Sequence, residues 1–479
     1  MLLAVAIRPA GRDLEALMND SEPVDLAVIG SGGAAMAAAI AARQAGRTVT
    51  LIEHATLGGT CVNVGCVPSK TLLAAAGARH GALANPFSGA PTSVLEVDLA
   101  GLVEQKDELV GRLRQGKYAA VADAHGFDVR PGHARFTGPD TLTVDGTPLP
   151  ARAYLIATGA EPARPALPGL DDGDWLTSTT AMEQTEVPES LVVIGGGYVG
   201  MEQAQLFAHL GSRVTLIGRP APAAEPELAE VLCAVFADDG ITLVRDRATA
   251  VEHTGGQVVV STRSGQRASG ARLLVATGRV PRTVDLGLEA AGVATDGRGF
   301  VVVDEHQRTS HPRIFAAGDV SGAPQYVYVA AATGRVAALN ATGAAGGRAA
   351  TVDYTGMPSV VFTRPQLASA GLTEAAARAA GHRCESRVLH LADVPRALAN
   401  RDTRGAVKLV ADADTGRVLG VHAAADAAGE MMLAATYAIT AGMTVDDVAD
   451  TWAPYLTMAE SLRLVAGLFR NQMPTSCCA

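Results

Sequence analysis

Four of the six cysteines in this 479-residue chain fall in two close pairs, and both pairs are suited to thiol chemistry. Cys61 and Cys66 lie in Leu57-Gly-Gly-Thr-Cys-Val-Asn-Val-Gly-Cys-Val-Pro-Ser-Lys70. Five residues of regular helix rise about 7.5 Å, and a disulfide tolerates a Cα separation of only about 7 Å. For the two sulfurs to meet, the helix must be distorted between them, and Gly65 and Pro68 permit that. Lys70 is one of only four lysines, the others being Lys106, Lys117 and Lys408. A cation at that position favours thiolate over thiol. The second pair closes the chain as Ser476-Cys477-Cys478-Ala479. Adjacent thiolates can hold one soft metal ion between them. Cys233 and Cys384 have no partner pattern and read as buried structural residues.

The elements that must carry the inner pair are announced by a repeat. Residues 24–53, VDLAVIGSGGAAMAAAIAARQAGRTVTLIE, match residues 189–218, ESLVVIGGGYVGMEQAQLFAHLGSRVTLIG, at a constant offset of 165. Each copy is an apolar strand, a glycine turn, a helix and a second strand, which is a βαβ nucleotide-binding unit. In the first copy Gly30 allows the turn, Gly32 lets the backbone approach a pyrophosphate, and Ala35 lets helix pack on strand. The anion then faces the free N–H groups of a helix N-terminus. Glu53 ends the second strand, where a carboxylate accepts from ribose hydroxyls. The second copy keeps Gly195, Gly197 and Gly200 but has Gly218 in place of the acid, followed by Arg219. Without the carboxylate nothing repels a 2′-phosphate, and the guanidinium can bind it, which favours NADPH over NADH. The competing reading of Arg219 is a solvated loop residue.

Two further strands end alike, Tyr154-Leu-Ile-Ala-Thr158-Gly159 and Leu273-Leu-Val-Ala-Thr-Gly278, and Ile314-Phe-Ala-Ala-Gly-Asp319 is a third such ending. Residues 341–350 form a small-residue linker, followed by an α+β region with strands expected near 358–363, 406–410 and 417–422 and helices near 373–380, 428–441 and 457–469. The fold class expected is α/β, with two Rossmann-like dinucleotide-binding domains and a C-terminal α+β domain. Hydrophobic residues at 48% and charged residues at 18% suit a well-cored globular chain of about three domains. A net charge of −10 gives no general attraction to nucleic acid or anionic lipid. No run of 18 apolar residues is present, and the opening segment is too weak for a signal peptide. Residues 1–17 read as a dispensable extension before Met18. Six cysteines in so long a chain do not make a disulfide framework, so a cytoplasmic location is expected.

With these residues in place, the chain resembles the flavin-dependent pyridine nucleotide–disulfide oxidoreductases of class I from about residue 22 to its C-terminus. The segment GGTCVNVGCVPSK, with Gly59 and Thr60 before the first cysteine, is similar to their redox-active motif almost residue for residue. The resemblance implies FAD at the first unit and the nicotinamide cofactor at the second. It implies a FAD-binding domain over 22–159, an NADPH-binding domain over 160–280, a second, central part of the FAD domain over 281–346, and a dimerisation domain over 350–479. The turns at Thr158–Gly159 and Gly278 belong to the cofactor sites, and Asp319 matches the aspartate near the FAD ribityl and pyrophosphate. Glu202 matches the glutamate paired with the flavin-side lysine, here Lys70. Cys66 takes the place of the thiol next to the flavin ring, and Cys61 that of the interchange thiol.

The C-terminus narrows the expected chemistry. Disulfide reductases of this family carry His-Pro-Thr-x-x-Glu, whose histidine shuttles protons to leaving thiolates. Here the stretch is Ala453-Pro-Tyr455-Leu-Thr457-Met-Ala-Glu460. A tyrosine of ordinary pKa, about 10, is a poor acid–base group near neutrality. Together with the tail dithiol, Tyr455 resembles the mercury-reducing branch of the family, and Tyr198 matches a tyrosine found there beside the inner metal site. That branch implies NADPH-dependent reduction of Hg(II) to Hg(0) by a homodimer. Cys477 and Cys478 of one subunit hand the metal to Cys61 and Cys66 of the other. The chain lacks the Cys-x-x-Cys metal-binding domain that many such enzymes carry at the N-terminus. The alternatives are a dihydrolipoamide or low-molecular-weight disulfide reductase, opposed by the missing histidine, and a metal-sequestering protein without turnover, opposed by two intact nucleotide motifs. His422 reads as structural, and the Met431–Met432 pair as core.

Overall fold

The computed structural model describes residues 22–471. The proposed extension at 1–17 and the tail cysteines Cys477 and Cys478 lie outside the described residues. The chain forms two compact units, and both are assembled from separated stretches of sequence.

The first unit comprises residues 22–59, 114–160 and 281–352. Its centre is a five-stranded parallel sheet in the order Ile314–Ala316, Ala151–Ile156, Val24–Ile29, Val49–Glu53, Asp128–Pro131. The inner strands are apolar on both faces because both are covered: Leu26, Val28 and Leu155 pack with the helices Gly33–Gln44 and Val327–Ala341, and Ala27, Ile29 and Ile156 pack with Phe136, Leu142 and Val144 of the antiparallel strands over 134–148. The helix Gly33–Gln44 is rich in alanine, and that composition sets its packing. Its small side chains let the helix Val327–Ala341 approach so closely that a Cβ on Gly334 would lie 2.1 Å from the Ala34 carbonyl oxygen. A small antiparallel sheet, 134–148, is attached to this core.

The second unit comprises residues 60–113, 161–280 and 353–471. It holds a second parallel sheet, in the order Thr242–Val244, Arg213–Ile217, Ser190–Ile194, Arg272–Val275, which is the repeat of the first. A three-stranded antiparallel sheet over 248–270 follows. The C-terminal region is a five-stranded antiparallel sheet ordered Pro358–Val361, Gln366–Gly371, Val418–Ala425, Ala406–Asp412, Cys384–His390. The helices Ala428–Thr440 and Glu460–Gly467 are part of the core of this region, with Met431 and Met432 buried among apolar residues. The strands Gln366–Gly371 and Cys384–His390 and the helix Val445–Asp450 add to the elements expected from the sequence.

Within the second unit, the C-terminal sheet is joined to the nucleotide-binding part by a buried cation. Lys408 Nζ is 2.9 Å from Glu225, 3.0 Å from Glu227 and 2.9 Å from Glu374. A charge so placed persists only when paired. The three carboxylates raise the Lys408 ammonium above its ordinary range against the opposing effect of burial. His422 is buried, its Nε2 2.9 Å from the Leu372 carbonyl oxygen, which fits a packing role. Among the described residues no helix is long and apolar enough to cross a membrane.

Candidate active site

The first glycine motif forms a backbone cradle within the first unit. Gly30 turns at φ +110°, and a Cβ there would sit 2.4 Å from the Ala157 carbonyl oxygen, so only glycine fits. Gly32 is the N-cap of the helix Gly33–Gln44 and has no side-chain cap, so the first N–H groups of that helix are left for an anion. Gly59 closes on the same spot; a Cβ on it would meet Gly32 Cα at 2.6 Å. Ala35 is fully buried beneath the turn. Glu53 lies at the end of its strand, with Oε2 accepting from Ser31 Oγ at 2.5 Å and Oε1 from the Ala55 N–H at 2.8 Å. Ser31 Oγ also accepts from the Gly58 N–H at 3.0 Å. Ser31 therefore ties the acid to the Gly58–Gly59 turn, a role that sequence reading missed. Its one signal was its place between the two motif glycines.

The remaining first-site residues gather beside this cradle. Thr158 Oγ1 donates to the Arg282 carbonyl oxygen at 2.7 Å, and the Gly159 carbonyl accepts from the Arg282 N–H at 3.0 Å. Asp319 lies in the tight turn Gly318–Ser321. That turn abuts the motif helix, since a Cβ on Gly318 would touch Ala34 Cβ at 3.1 Å. Bare helix N-terminus, glycine cradle, strand-end acid and neighbouring aspartate fit a dinucleotide such as FAD.

The second motif repeats the cradle in the second unit. Gly197 caps the helix Tyr198–Leu210 without a side-chain bond, and a Cβ on Gly200 would lie 1.8 Å from the Gly195 carbonyl oxygen. Gly218 has φ +142° and approaches the glycine turn so closely that a Cβ would fall 2.7 Å from the Gly196 nitrogen. Backbone geometry thus adds a second reason for glycine at 218, beyond the missing charge. A Cβ on Gly196 would sit 2.2 Å from the Arg219 carbonyl oxygen, and Arg219 itself is exposed at the rim of the cradle. The strand end before Gly278 meets the same turn, because a Cβ on Gly195 would lie 2.2 Å from the Ala276 carbonyl oxygen. Tyr198, the first residue of the helix, is half-buried.

The thiol pair straddles a helix break. A short helix, Gly59–Asn63, carries Thr60 and Cys61, and the long helix Cys66–Leu83 begins at Cys66. Gly65 stands between them at φ −125°, and a Cβ there would press on the Thr60 carbonyl oxygen at 2.9 Å. This fold brings the two sulfurs into hydrogen-bond contact, with Cys61 as donor. Both thiols are free; Cys66 is exposed and Cys61 half-buried. That hydrogen bond from Cys61, aided by the Lys70 charge and opposed by burial, lowers the Cys66 thiol to about 7. The same bond, burial and repulsion by Cys66 push Cys61 far above the ordinary thiol range. The uncapped helix N-terminus at Cys66 adds a favourable dipole.

Lys70 stands one turn on from Cys66 and is held from two sides. Its Nζ is 2.7 Å from Glu202 Oε2 and 4.6 Å from the ring centroid of Phe362. Glu202 is buried, and its Oε1 accepts from the Phe362 N–H at 2.9 Å. Phe362 is 160 residues away from Glu202 in the chain, and nothing in the sequence pointed to it. Tyr455 is half exposed in the turn before the helix Glu460–Gly467, where Thr457 Oγ1 donates to the Pro454 carbonyl oxygen at 2.9 Å. Glu460 is buried, and its Oε1 accepts from Arg463 Nη2 at 3.3 Å.

Comparison with known proteins agrees with this geometry. Residues 24–334 match the pyridine nucleotide-disulphide oxidoreductase family, and residues 357–466 match the dimerisation domain of the same family. The chain is 52% identical to a mercuric reductase of Streptomyces lividans over 469 residues, covering 95% of this chain and 98% of that one. It is 46% identical to a mercuric reductase of Lysinibacillus sphaericus, covering 97% and 86% respectively. Among solved structures, the Cu(II) complex of the HOCl-induced flavoprotein disulfide reductase RclA from Escherichia coli superposes with a TM-score of 0.83 at 30% identity, over 94% of this chain and all of that one. LpdA from Mycobacterium tuberculosis superposes with a TM-score of 0.84 at 29% identity, over 93% of this chain and all of that one.

Proposed function

The chain belongs to the mercuric reductase branch of the pyridine nucleotide–disulphide oxidoreductase family, which uses FAD and NAD(P)H, and from that membership we propose that it reduces Hg(II) to volatile Hg(0) with NADPH. The observation that carries the proposal is the adjacent Cys61–Cys66 pair, with one thiol ionised near neutrality beside a fixed cation. The two sulfurs side by side form a soft donor pair for Hg(II), Cys61 giving up its proton as the metal binds. The reaction balances as NADPH, a proton and a dithiol-ligated Hg(II) giving NADP⁺, Hg(0) and two free thiols. FAD, when bound, supplies the electron-pair relay between nicotinamide and metal.

The chain's own residues do the rest. The bare helix end at Gly197 binds the nicotinamide cofactor's pyrophosphate, and Arg219 binds the 2′-phosphate. Cys66 takes the flavin-side role and Cys61 the interchange role. Lys70, held by Glu202, keeps positive charge where thiolate and reduced cofactor carry negative charge. Cys477 and Cys478 of the partner subunit deliver the metal in a homodimer with a shared site. Neutral Hg(0) has little affinity for thiolate and departs. No leaving thiol must be protonated by an imidazole, which agrees with Tyr455 at the family's histidine position.

Two tests arise directly. Hydrogen bonds to charged groups contribute about 1.5–3 kcal/mol, so Arg219→Glu should lower the kcat/KM ratio of NADPH to NADH by roughly 10- to 100-fold. Steady-state kinetics with both nucleotides reads this, and an unchanged ratio would make Arg219 a solvated loop residue. Tyr455→Phe removes the hydroxyl that helps hold or release the metal. It should slow Hg(II) turnover by about 10- to 100-fold, a loss of roughly 1.4–2.7 kcal/mol of transition-state stabilisation. Flavin reduction by NADPH, followed by stopped flow, should stay unaltered. Equal mercury turnover in the variant would make Tyr455 a packing residue.

A further inference from the structure

We propose that His80, His209 and Asp239 form a binding site for one divalent cation of the Zn(II) class, separate from the thiol pair. Their ligand atoms all lie within 4.8 Å of one another, and they are the one such group among the described residues. They converge from three places in the second unit: His80 from the helix Cys66–Leu83, His209 from the helix Tyr198–Leu210, and Asp239 just after the helix Pro226–Asp238. The side chains of His209 and Asp239 are only 4% and 3% exposed, and that of His80 is 18% exposed, which leaves one side open for entry.

The arrangement already resembles a collapsed coordination sphere. One carboxylate oxygen faces each imidazole: Oδ2 is 3.0 Å from His209 Nε2, and Oδ1 is 3.6 Å from His80 Nε2. The rings are stacked, with centroids 3.8 Å apart and planes 16° from parallel, so at least one imidazole must turn about its Cβ–Cγ bond for the two in-plane lone pairs to converge on one ion. Two nitrogens and a carboxylate oxygen are the donor set of three-ligand zinc sites, with a fourth position left for water. Outer partners orient them. Gln205 Nε2 donates to Asp239 Oδ2 at 2.8 Å, the Gln205 Oε1 accepts from the Arg364 N–H at 2.7 Å, and Arg79 Nη1 donates to the His209 carbonyl oxygen at 2.8 Å. Coordination replaces the His209–Asp239 hydrogen bond, the His209 imidazole passing to its Nδ1–H tautomer.

This donor set selects against the reaction's own metal, because soft Hg(II) prefers thiolate and borderline Zn(II) accepts imidazole and carboxylate. His80 is fourteen positions from Cys66 on one helix, roughly 21 Å along its axis, so the two sites do not share ligands. A bound cation would pin three helix ends of the second unit together.

The test uses FAD-loaded protein carrying Cys61→Ala, Cys66→Ala, Cys477→Ala and Cys478→Ala, so that paired thiols cannot compete. Equilibrium dialysis should find one Zn(II) per chain. Zinc-edge X-ray absorption should show nitrogen and oxygen at about 2.0–2.1 Å and no sulfur shell at about 2.3 Å. Zinc should raise the melting temperature. Adding His80→Ala should weaken zinc binding by at least about tenfold and abolish the zinc-dependent rise in melting temperature. Asp239→Asn, close in shape to the parent side chain, provides the same comparison should the alanine variant fold poorly. Zinc retained equally by both variants, a sulfur shell, or no stoichiometric zinc would each overturn the site.

Discussion

Replacing either inner thiol should abolish mercury reduction while leaving the flavin in place. Cys61→Ala and Cys66→Ala should each lower NADPH-dependent Hg(II) turnover by at least about a thousandfold, equivalent to roughly 4 kcal/mol, because one thiolate alone cannot offer the metal a two-sulfur site. FAD content should remain near one per chain. The cradle at Gly30, Gly32 and Glu53 belongs to the first unit, whereas both cysteines belong to the second. The two variants should differ in thiol reactivity. Cys66 sits at about 7, below an ordinary thiol, so its thiolate is lost as pH falls through that value and predominates above it. Alkylation of Cys66 by iodoacetamide should therefore rise with an inflection near that pH. In Cys61→Ala the hydrogen bond chiefly responsible is gone, and the inflection should move up toward the ordinary thiol range, with the Lys70 charge limiting the shift. On reduction, wild type should show a long-wavelength absorbance from thiolate against bound flavin. Retention of that absorbance by Cys66→Ala would mean that the flavin-side thiol is misassigned.

The parts of this molecule that were legible in the sequence are those whose signals are local. The repeat exposed both nucleotide units because turn, helix and strand-end residues keep fixed spacing. The broken helix between Cys61 and Cys66 followed from rise per residue and from the presence of Gly65, and the structure places the break there. The strands Gln366–Gly371 and Cys384–His390 were not legible. QLASAG is built of small residues with no β-branched pattern, and on one side its pairing is with partners 49 to 59 positions away along Val418–Ala425. The helix Val445–Asp450 did have a signal, since Thr444 and Asp447 form a capping box. Phe362 beneath Lys70, and Gln205 between Arg364 and Asp239, could not be read, because each depends on contacts between residues far apart in the chain. The position of Gly218 was legible, but its steric cause was not: the loss of an acid shows in the sequence, whereas the 2.7 Å approach to Gly196 appears only in the fold.

Removing the tail dithiol should produce a different and substrate-dependent defect. Hg(II) in a cell is held by two small thiols, and stripping it requires a site that offers two thiolates at once. Cys477→Ala/Cys478→Ala should keep NADPH-dependent flavin reduction at the wild-type rate. With excess glutathione present, it should lose about a hundredfold or more of Hg(II) turnover, roughly 2.7 kcal/mol. The loss should be far smaller with mercuric bromide, whose ligands leave without thiol exchange. A site shared between subunits makes a further demand. Mixing the tail variant with Cys61→Ala/Cys66→Ala should form heterodimers in which one of the two sites is complete, recovering up to about a quarter of wild-type activity after random exchange of subunits. Activity that stays at the level of the separate variants would place each tail with its own subunit's inner pair. Full activity of the tail variant on glutathione-bound Hg(II) would remove the delivery role.

In the proposed reaction, electrons from NADPH end on the metal. The most direct measurement is an anaerobic assay of the purified yellow protein with glutathione-bound Hg(II), following NADPH oxidation by absorbance and mercury in the purged gas phase by atomic absorption. One Hg(0) should be released per NADPH consumed, none from the Cys61→Ala/Cys66→Ala protein, with no comparable NADPH oxidation when lipoamide or glutathione disulfide replaces the metal. NADPH consumed without mercury vapour, or consumed as fast with a disulfide as with Hg(II), would contradict the proposed reaction.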